Sequence, residues 1–527
     1  MQSWFTFELD GESCRIENES ARLTLAQFLS SLDPQYAHYA DGNPWHGGSP
    51  VIIGETSGIA PRFRSIDATL ILMPMLADAM VWTPEGIANL DPDHPAVGVL
   101  GIDHIECSNA RRMAVLTLFF EGFYRPDLRR NGQMNEQLDS LVSRTAAVDA
   151  IRDAARRLFA SAETRRHEAS QKAAASGQQN EVWTGKKDIF NDRFTKSLFI
   201  KRPADELDFV DRRKRRFHRP KTTADLQRLQ SQYPDARLIA GGTNLVDELS
   251  RTDFQNLISI EEVAEMQMIR TNQDFWEIGA GVNLTRVSEA IGGEYPQFLK
   301  ALTRFGSRPI RNRATLGGYL AVASDIGQLA PLLIAMDARV LLLSADGERD
   351  APIFHFFEGK GKTILREGEV IRCILIPRAN DSALASRGMT TRLCDTYTVG
   401  PRRSLCDPFL TAAFAVELRE KTVAKAWIAF SGVANKPIRA RQTEASLAGK
   451  VWHEETVFAS LNTLFQEIQI TKKDVGYANA DYRKQLVMTL FQKFFYQHPT
   501  PRDVKPIEQG ITQEFSLHDQ PFFDSVT

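Results

Sequence analysis

Apolar and polar residues alternate along Trp4-Phe-Thr-Phe-Glu-Leu9, a period of two that predicts a strand, and Asp10-Gly11 supplies a turn into a second strand. The period then changes: apolar positions recur at helical spacing over 23–32 and again over 113–124. From about 161 to 206 the chain is polar and rich in Ala, Gln and Lys, a linker composition broken by one apolar island at 190–200. Beyond 213, short strands expected around Leu238, Leu257, Trp276 and Val340 are interspersed with helices around Ala224 and Ile326. Strands over 412–418 and 423–430 then precede helices over 455–468 and 481–496, and the chain after Pro499 reads as an irregular tail.

A chain of 527 residues is too long for one core, so several domains are expected. With 64 Lys and Arg against 66 Asp and Glu, no global surplus invites nucleic acid or an anionic membrane. The basic run Arg212-Arg-Lys-Arg-Arg216 has no aromatic platform beside it and reads as a solvated segment. Five cysteines without C-x-x-C spacing argue against a disulfide framework and fit a reducing compartment. The first ten residues carry acids and no secretory pattern. Apolar stretches near 70–81 and 329–343 are interrupted by Asp78 and Asp337 and fall short of the roughly 20 residues a membrane span needs. The expectation is a cytoplasmic protein that engages neither membrane nor nucleic acid.

Two loops carry the candidate chemistry. The strand at 236–240 runs into Gly241-Gly242-Thr243-Asn244-Leu245, and Thr315-Leu316-Gly317-Gly318 forms a second glycine pair, followed by small residues at Ala321, Ala323 and Ser324. Glycines at such turns let backbone amides converge on an anion such as a pyrophosphate. Taken in order and spacing, the loops resemble the flavin domain of the xanthine dehydrogenase and carbon monoxide dehydrogenase (medium subunit) family. Phe217-His-Arg-Pro220 is similar to its entry, Leu238-Ile-Ala-Gly-Gly-Thr-Asn-Leu245 to its first phosphate loop, and Ile278-Gly-Ala-Gly-Val282 to the strand that follows. Phe305 and Arg308-Pro-Ile-Arg-Asn312 lead into the second loop, while Asp407, Ala426-Trp-Ile-Ala-Phe-Ser-Gly-Val433 and Tyr482-Arg483 resemble the C-terminal flavoprotein domain.

The N-terminal part resembles the iron-sulfur domains of the small subunits of bacterial xanthine dehydrogenases, through Val51-Ile-Ile-Gly-Glu55, residues 64–76, Glu85-Gly-Ile-Ala88, His94-Pro95 and the helical run ending at Arg125-Pro126. The resemblance implies a multidomain α+β chain. It would hold a degenerate ferredoxin-like β-grasp domain (1–88), a degenerate helical-bundle domain (89–160), a linker (161–212), a PCMH-type FAD-binding domain (213–390), a C-terminal flavoprotein domain (391–497) and a tail (498–527). Each plant-type [2Fe-2S] cluster needs four cysteine thiolates. Here the first-domain positions fall near His46 and on Ser49 and Thr69, while those of the second fall on Cys107, Ala110, Ser143 and Thr145. One cysteine remains of eight, so no cluster and no other resident metal is expected. His38, His46, His94 and His104 are scattered along the same part of the chain as Cys107 without a paired ligand spacing.

The resemblance also implies FAD, held by Leu238, Ile239, Ala240, Gly241, Gly242, Thr243, Asn244 and Leu245 in the first loop. Phe305 would lie near the isoalloxazine, and Thr315, Gly317, Gly318, Tyr319, Ser324 and Gln328 would complete the second. Tyr319 and Gln328 stand where the family has Asn and Asp, and Asp325 replaces its proline. A molybdenum cofactor would belong to a separate large subunit, and NAD(H) or another acceptor would take the electrons. Two readings stay open: a flavoprotein oxidoreductase of a xanthine-dehydrogenase-like complex without its clusters, or a non-catalytic structural or assembly subunit of such a complex. The sequence points to no catalytic side chain.

Overall fold

The computed structural model describes residues 2–40, 49–57, 60–99, 109–125, 148–175, 192–200, 204–249, 252–402, 406–472 and 478–499. The alternation at the N-terminus becomes the strand Trp4–Leu9, whose inward positions Phe5, Phe7 and Leu9 are buried. It is the second strand of a five-stranded mixed sheet in the order Glu12–Glu17, Trp4–Leu9, Met80–Trp82, Pro50–Ser57, Ala60–Asp67. The pair Trp4–Leu9 and Met80–Trp82 is parallel. Helix Leu25–Leu32 covers this sheet and begins at a capping box, with Thr24 and Gln27 satisfying each other's backbone amides.

Helices Asn109–Tyr124 and Val148–Ala175 pack around Phe119, Phe120, Phe123 and Leu158. The expected linker is partly structured. Val148–Ala175 runs past the expected boundary at 160 because alanine-rich sequence favours helix even without an apolar stripe. Helix Arg193–Ile200 sets Phe194 and Leu198 into the same core, and strand Leu207–Val210 begins the next sheet.

That sheet has the order Leu207–Val210, Arg216–Arg219, Asn256–Ser259, Arg237–Ile239. A five-stranded sheet beside it runs Ile269–Thr271, Phe275–Gly279, Val370–Pro377, Arg339–Ser344, Gly347–Pro352. The helix expected at Ile326 is instead two short helices, Leu316–Val322 and Leu329–Ala335, because Ala323 takes φ 46° and ends the first. The last unit is an antiparallel sheet of Thr391–Val399, Leu410–Arg419, Thr422–Ser431 and Ile438–Arg439, covered by Glu454–Glu467 and Ala480–Gln497. Separate mixed and antiparallel sheets with helices on their faces make a multidomain mixed α/β protein. Among the described residues no helix is long and apolar enough to cross a membrane.

Candidate functional site

The first loop leaves the strand Arg237–Ile239, which runs parallel to Asn256–Ser259. Gly242 needs its missing side chain for φ 77°, a region that L residues avoid. Gly241 needs it for space: a Cβ there would stand 1.9 Å from the carbonyl oxygen of Arg313. Ile239 is buried, Leu238, Ala240, Thr243 and Leu245 are half-buried, and Asn244 is exposed. Among the described residues the amides of Gly241, Gly242 and Thr243 donate to no acceptor.

The second loop differs. Leu316 donates to the Val282 carbonyl at 3.1 Å and Gly317 to that of Ala280 at 3.0 Å. The Gly318 amide is bonded by Thr315 Oγ1 at 3.0 Å, an N-cap of the helix Leu316–Val322. A Cβ on Gly317 would lie 2.5–2.9 Å from the Cβ, carbonyl oxygen and Cα of Ala280, so this glycine lets the helix start lie on the neighbouring chain. The two loops are adjacent, since a Cβ on Gly318 would stand 3.9 Å from that of Ala240.

Tyr319 turns its ring edge-on to Phe305 at 5.7 Å. Its hydroxyl accepts hydrogen bonds from the amides of Leu329 and Ala330 at 2.9 and 2.8 Å, and burial raises its pKa well above the usual phenol value. Tyr319→Phe should leave two buried amides without an acceptor and lower stability by roughly 1–3 kcal/mol. Chemical denaturation of the two proteins checks this; equal midpoints would remove the capping role. Tyr319→Asn, which puts the family's residue back, would lose the ring as well as the hydroxyl.

Gln328 is buried, and among the described residues its Oε1 has no hydrogen-bond partner. Ser324, half-buried, accepts from the Ile326 amide at 3.4 Å. Asp325, in the proline position, ties the loop to the C-terminal unit: it is bonded by Lys472 Nζ at 2.6 Å, and its carbonyl accepts from Gly432.

Several neighbours carried no assigned role in the sequence. Arg313 reaches from the second loop to the first, its Nε donating to the Gly241 carbonyl at 3.3 Å and its Nη2 pairing with Glu261 at 2.5 Å. Burial pushes the Glu261 carboxyl up to about 7, with Arg313 pulling the other way. Glu121, fully buried, accepts from Ser65, Arg308 and Asn312. Its signal was a lone acid inside the apolar run 113–124.

At the thiolate positions, Ser49 is buried and Thr69 donates its hydroxyl to Asp67 at 2.6 Å. Ala110 lies in the helix Asn109–Tyr124, whereas His46, Cys107, Ser143 and Thr145 fall outside the described residues. Burial pushes the thiols of Cys373 and Cys394 up to about 12 and about 11. Among the described residues no three His, Cys, Asp or Glu side chains converge on a metal position.

Residues 212–379 match the model of the FAD binding domain in molybdopterin dehydrogenase, and residues 395–498 that of the CO dehydrogenase flavoprotein C-terminal domain. Xanthine dehydrogenase of Emericella nidulans is 29% identical over 305 residues, covering 55% of this chain and 22% of that protein. The nicotinate dehydrogenase FAD-subunit of Eubacterium barkeri is 28% identical over 292 residues, covering 53% of this chain and 94% of that subunit. Aldehyde oxidase 2 of Macaca fascicularis is 24% identical over 533 residues, covering 93% of this chain and 39% of that protein. The aligned part thus spans about a fifth of the xanthine dehydrogenase. The two adjoining matches, in the order in which the glycine loops and the C-terminal sheet occur, identify residues 212–498 as a flavin domain of the xanthine dehydrogenase and carbon monoxide dehydrogenase medium-subunit family.

Proposed function

We propose that this chain binds FAD and is the flavin subunit of a molybdenum-hydroxylase-like oxidoreductase whose N-terminal domains hold no [2Fe-2S] cluster. The observation that carries the reading is the first loop, where three consecutive amides at Gly241, Gly242 and Thr243 have no acceptor among the described residues. Such a run of donors suits a pyrophosphate. The orphaned Oε1 of Gln328 is an acceptor suited to a cofactor hydroxyl. Gly317 and Gly318 would then shape the site rather than donate to it, and Phe305 with Tyr319 would form an aromatic wall. A flavin accepts two electrons and releases them singly or together. The chain's part is to hold the cofactor and exclude water around it. A molybdopterin-bearing large subunit would be its partner and NAD(H) or another acceptor its outlet; the similar chain named nicotinate dehydrogenase FAD-subunit supports a subunit role.

One observation favours the second reading, a structural or assembly subunit. The second-loop amides are spent inside the chain, and the amides that begin the helix Leu329–Ala335 are taken by Tyr319. Both readings meet one experiment on the full-length protein, purified anaerobically and incubated with excess FAD. Near-stoichiometric flavin absorbance with negligible iron and acid-labile sulfide is the expected result. Near-stoichiometric iron would overturn the cluster-free reading. A protein that stays colourless would overturn the flavin reading and leave the structural subunit.

A further inference from the structure

The N-terminal units touch the first glycine loop and the segment that enters the second, the latter through buried polar groups. Glu121, in the helix Asn109–Tyr124, accepts the Ser65 amide at 3.1 Å and hydroxyl at 2.5 Å, Arg308 Nε at 2.9 Å and Asn312 Nδ2 at 3.3 Å. Asn312 Nδ2 also donates to the Ser65 carbonyl at 2.7 Å, and its Oδ1 accepts from Thr285 at 2.8 Å. One carboxylate therefore joins the strand Ala60–Asp67, the second helical unit and the segment that enters the second loop. The neighbour of Asn312 carries the constraint onward. The carbonyl of Arg313 is the atom against which Gly241 packs, and its guanidinium bonds the Gly241 carbonyl. A separate contact closes the circle on the first loop: the Leu70 carbonyl lies 3.1 Å and Met75 Sδ 3.8 Å from where a Gly242 Cβ would be, and Arg313 Nη2 reaches the same sulfur at 3.9 Å.

We infer that the N-terminal domains serve as an internal brace that sets the geometry of both flavin loops, with Glu121 as the positioning residue. This gives the two domains a use independent of iron, since none of the contacting residues Glu121, Ser65, Arg308, Asn312, Arg313 and Gly241 is at a thiolate position. A buried network with two discrete arrangements, made or broken, transmits such a constraint as a unit. That the brace matters to cofactor retention rests on the flavin reading above; that it orders the loops does not.

The test is hydrogen exchange of the full-length protein, followed by FAD dissociation measured by fluorescence. In Glu121→Ala, amide exchange in peptides covering 238–245 and 308–319 should accelerate about tenfold or more, as local opening becomes easier. Glu121→Gln keeps one acceptor oxygen for Arg308 and Asn312 and should fall between the two. Met75→Ala, which leaves the carboxylate network intact, should accelerate the first loop alone and serves if Glu121→Ala does not fold. Exchange that rises only over 60–67 and 109–125, with both loops as in the wild type, would overturn the brace. A wild type that binds no FAD defeats the flavin reading while the exchange result still judges the brace. Faster loop exchange with unchanged FAD dissociation would overturn the link to cofactor retention.

Discussion

Gly241→Val is expected to destabilise the flavin domain by roughly 3 kcal/mol or more, at the upper end of what overpacking costs, and to lose FAD with it. The reason is the identity of the atoms in the way. A Cβ at Gly241 would meet the carbonyl oxygen and carbon of Arg313 at 1.9 and 2.5 Å, and backbone cannot rotate aside. Gly318→Val is the contrasting case: its nearest neighbour is the Thr315 hydroxyl at 2.9 Å, a side-chain atom that can swing away at the expense of one cap bond. Soluble yield and the thermal midpoint of the purified variants should therefore fall much further for Gly241→Val. Equal stability of the two variants would show that the loops are not packed as described, and a wild-type midpoint for Gly241→Val would remove the steric argument altogether.

The contrast also marks what was legible in the chain. The first glycine pair was visible as punctuation after an apolar strand and the second as a sharp turn, and the regular elements followed the periodicity closely: Trp4–Leu9 buries alternate side chains as its pattern requires, and the last two helices fall within a residue of the expected ends. What could not be read was which amides remain free. That depends on Ala280 and Val282, some 35 residues upstream, whose carbonyls take the Leu316 and Gly317 amides. Tyr319 posed the same difficulty. Its departure from the family's Asn gave no sign that the hydroxyl accepts from two amides ten and eleven residues on. Leu410–Arg419 is buried on both faces, so alternation could not have set its limits. The alanine-rich stretch read as a linker because it lacks an apolar stripe, yet its intrinsic propensity carries the helix to Ala175.

Glu417→Ala should destabilise the protein by roughly 3–5 kcal/mol, the range found when one partner of a buried ion pair is removed. Glu417 is directly opposite Arg392 across the antiparallel pair Thr391–Val399 and Leu410–Arg419, and both side chains are 3% exposed. Its Oε1 accepts from Arg392 Nη1 at 3.1 Å and from Arg387 Nη2 at 3.3 Å. Arg392 in turn donates to the Ala335 carbonyl at 3.0 Å, at the end of helix Leu329–Ala335, and lies over the Trp427 ring at 5.4 Å. The guanidinium thus fastens the C-terminal sheet to the flavin domain, and taking away the carboxylate strands its charge where water does not reach. If stranded charge is the cause, removing it should help. Arg392→Met in the Glu417→Ala background should recover a good part of the loss, even though it breaks one more hydrogen bond, because a methionine of similar length buries no charge. Denaturant midpoints for the two single variants and the double variant decide the matter: additive losses, with the double variant the least stable of the three, would show that the pair contributes by packing and not by mutual neutralisation.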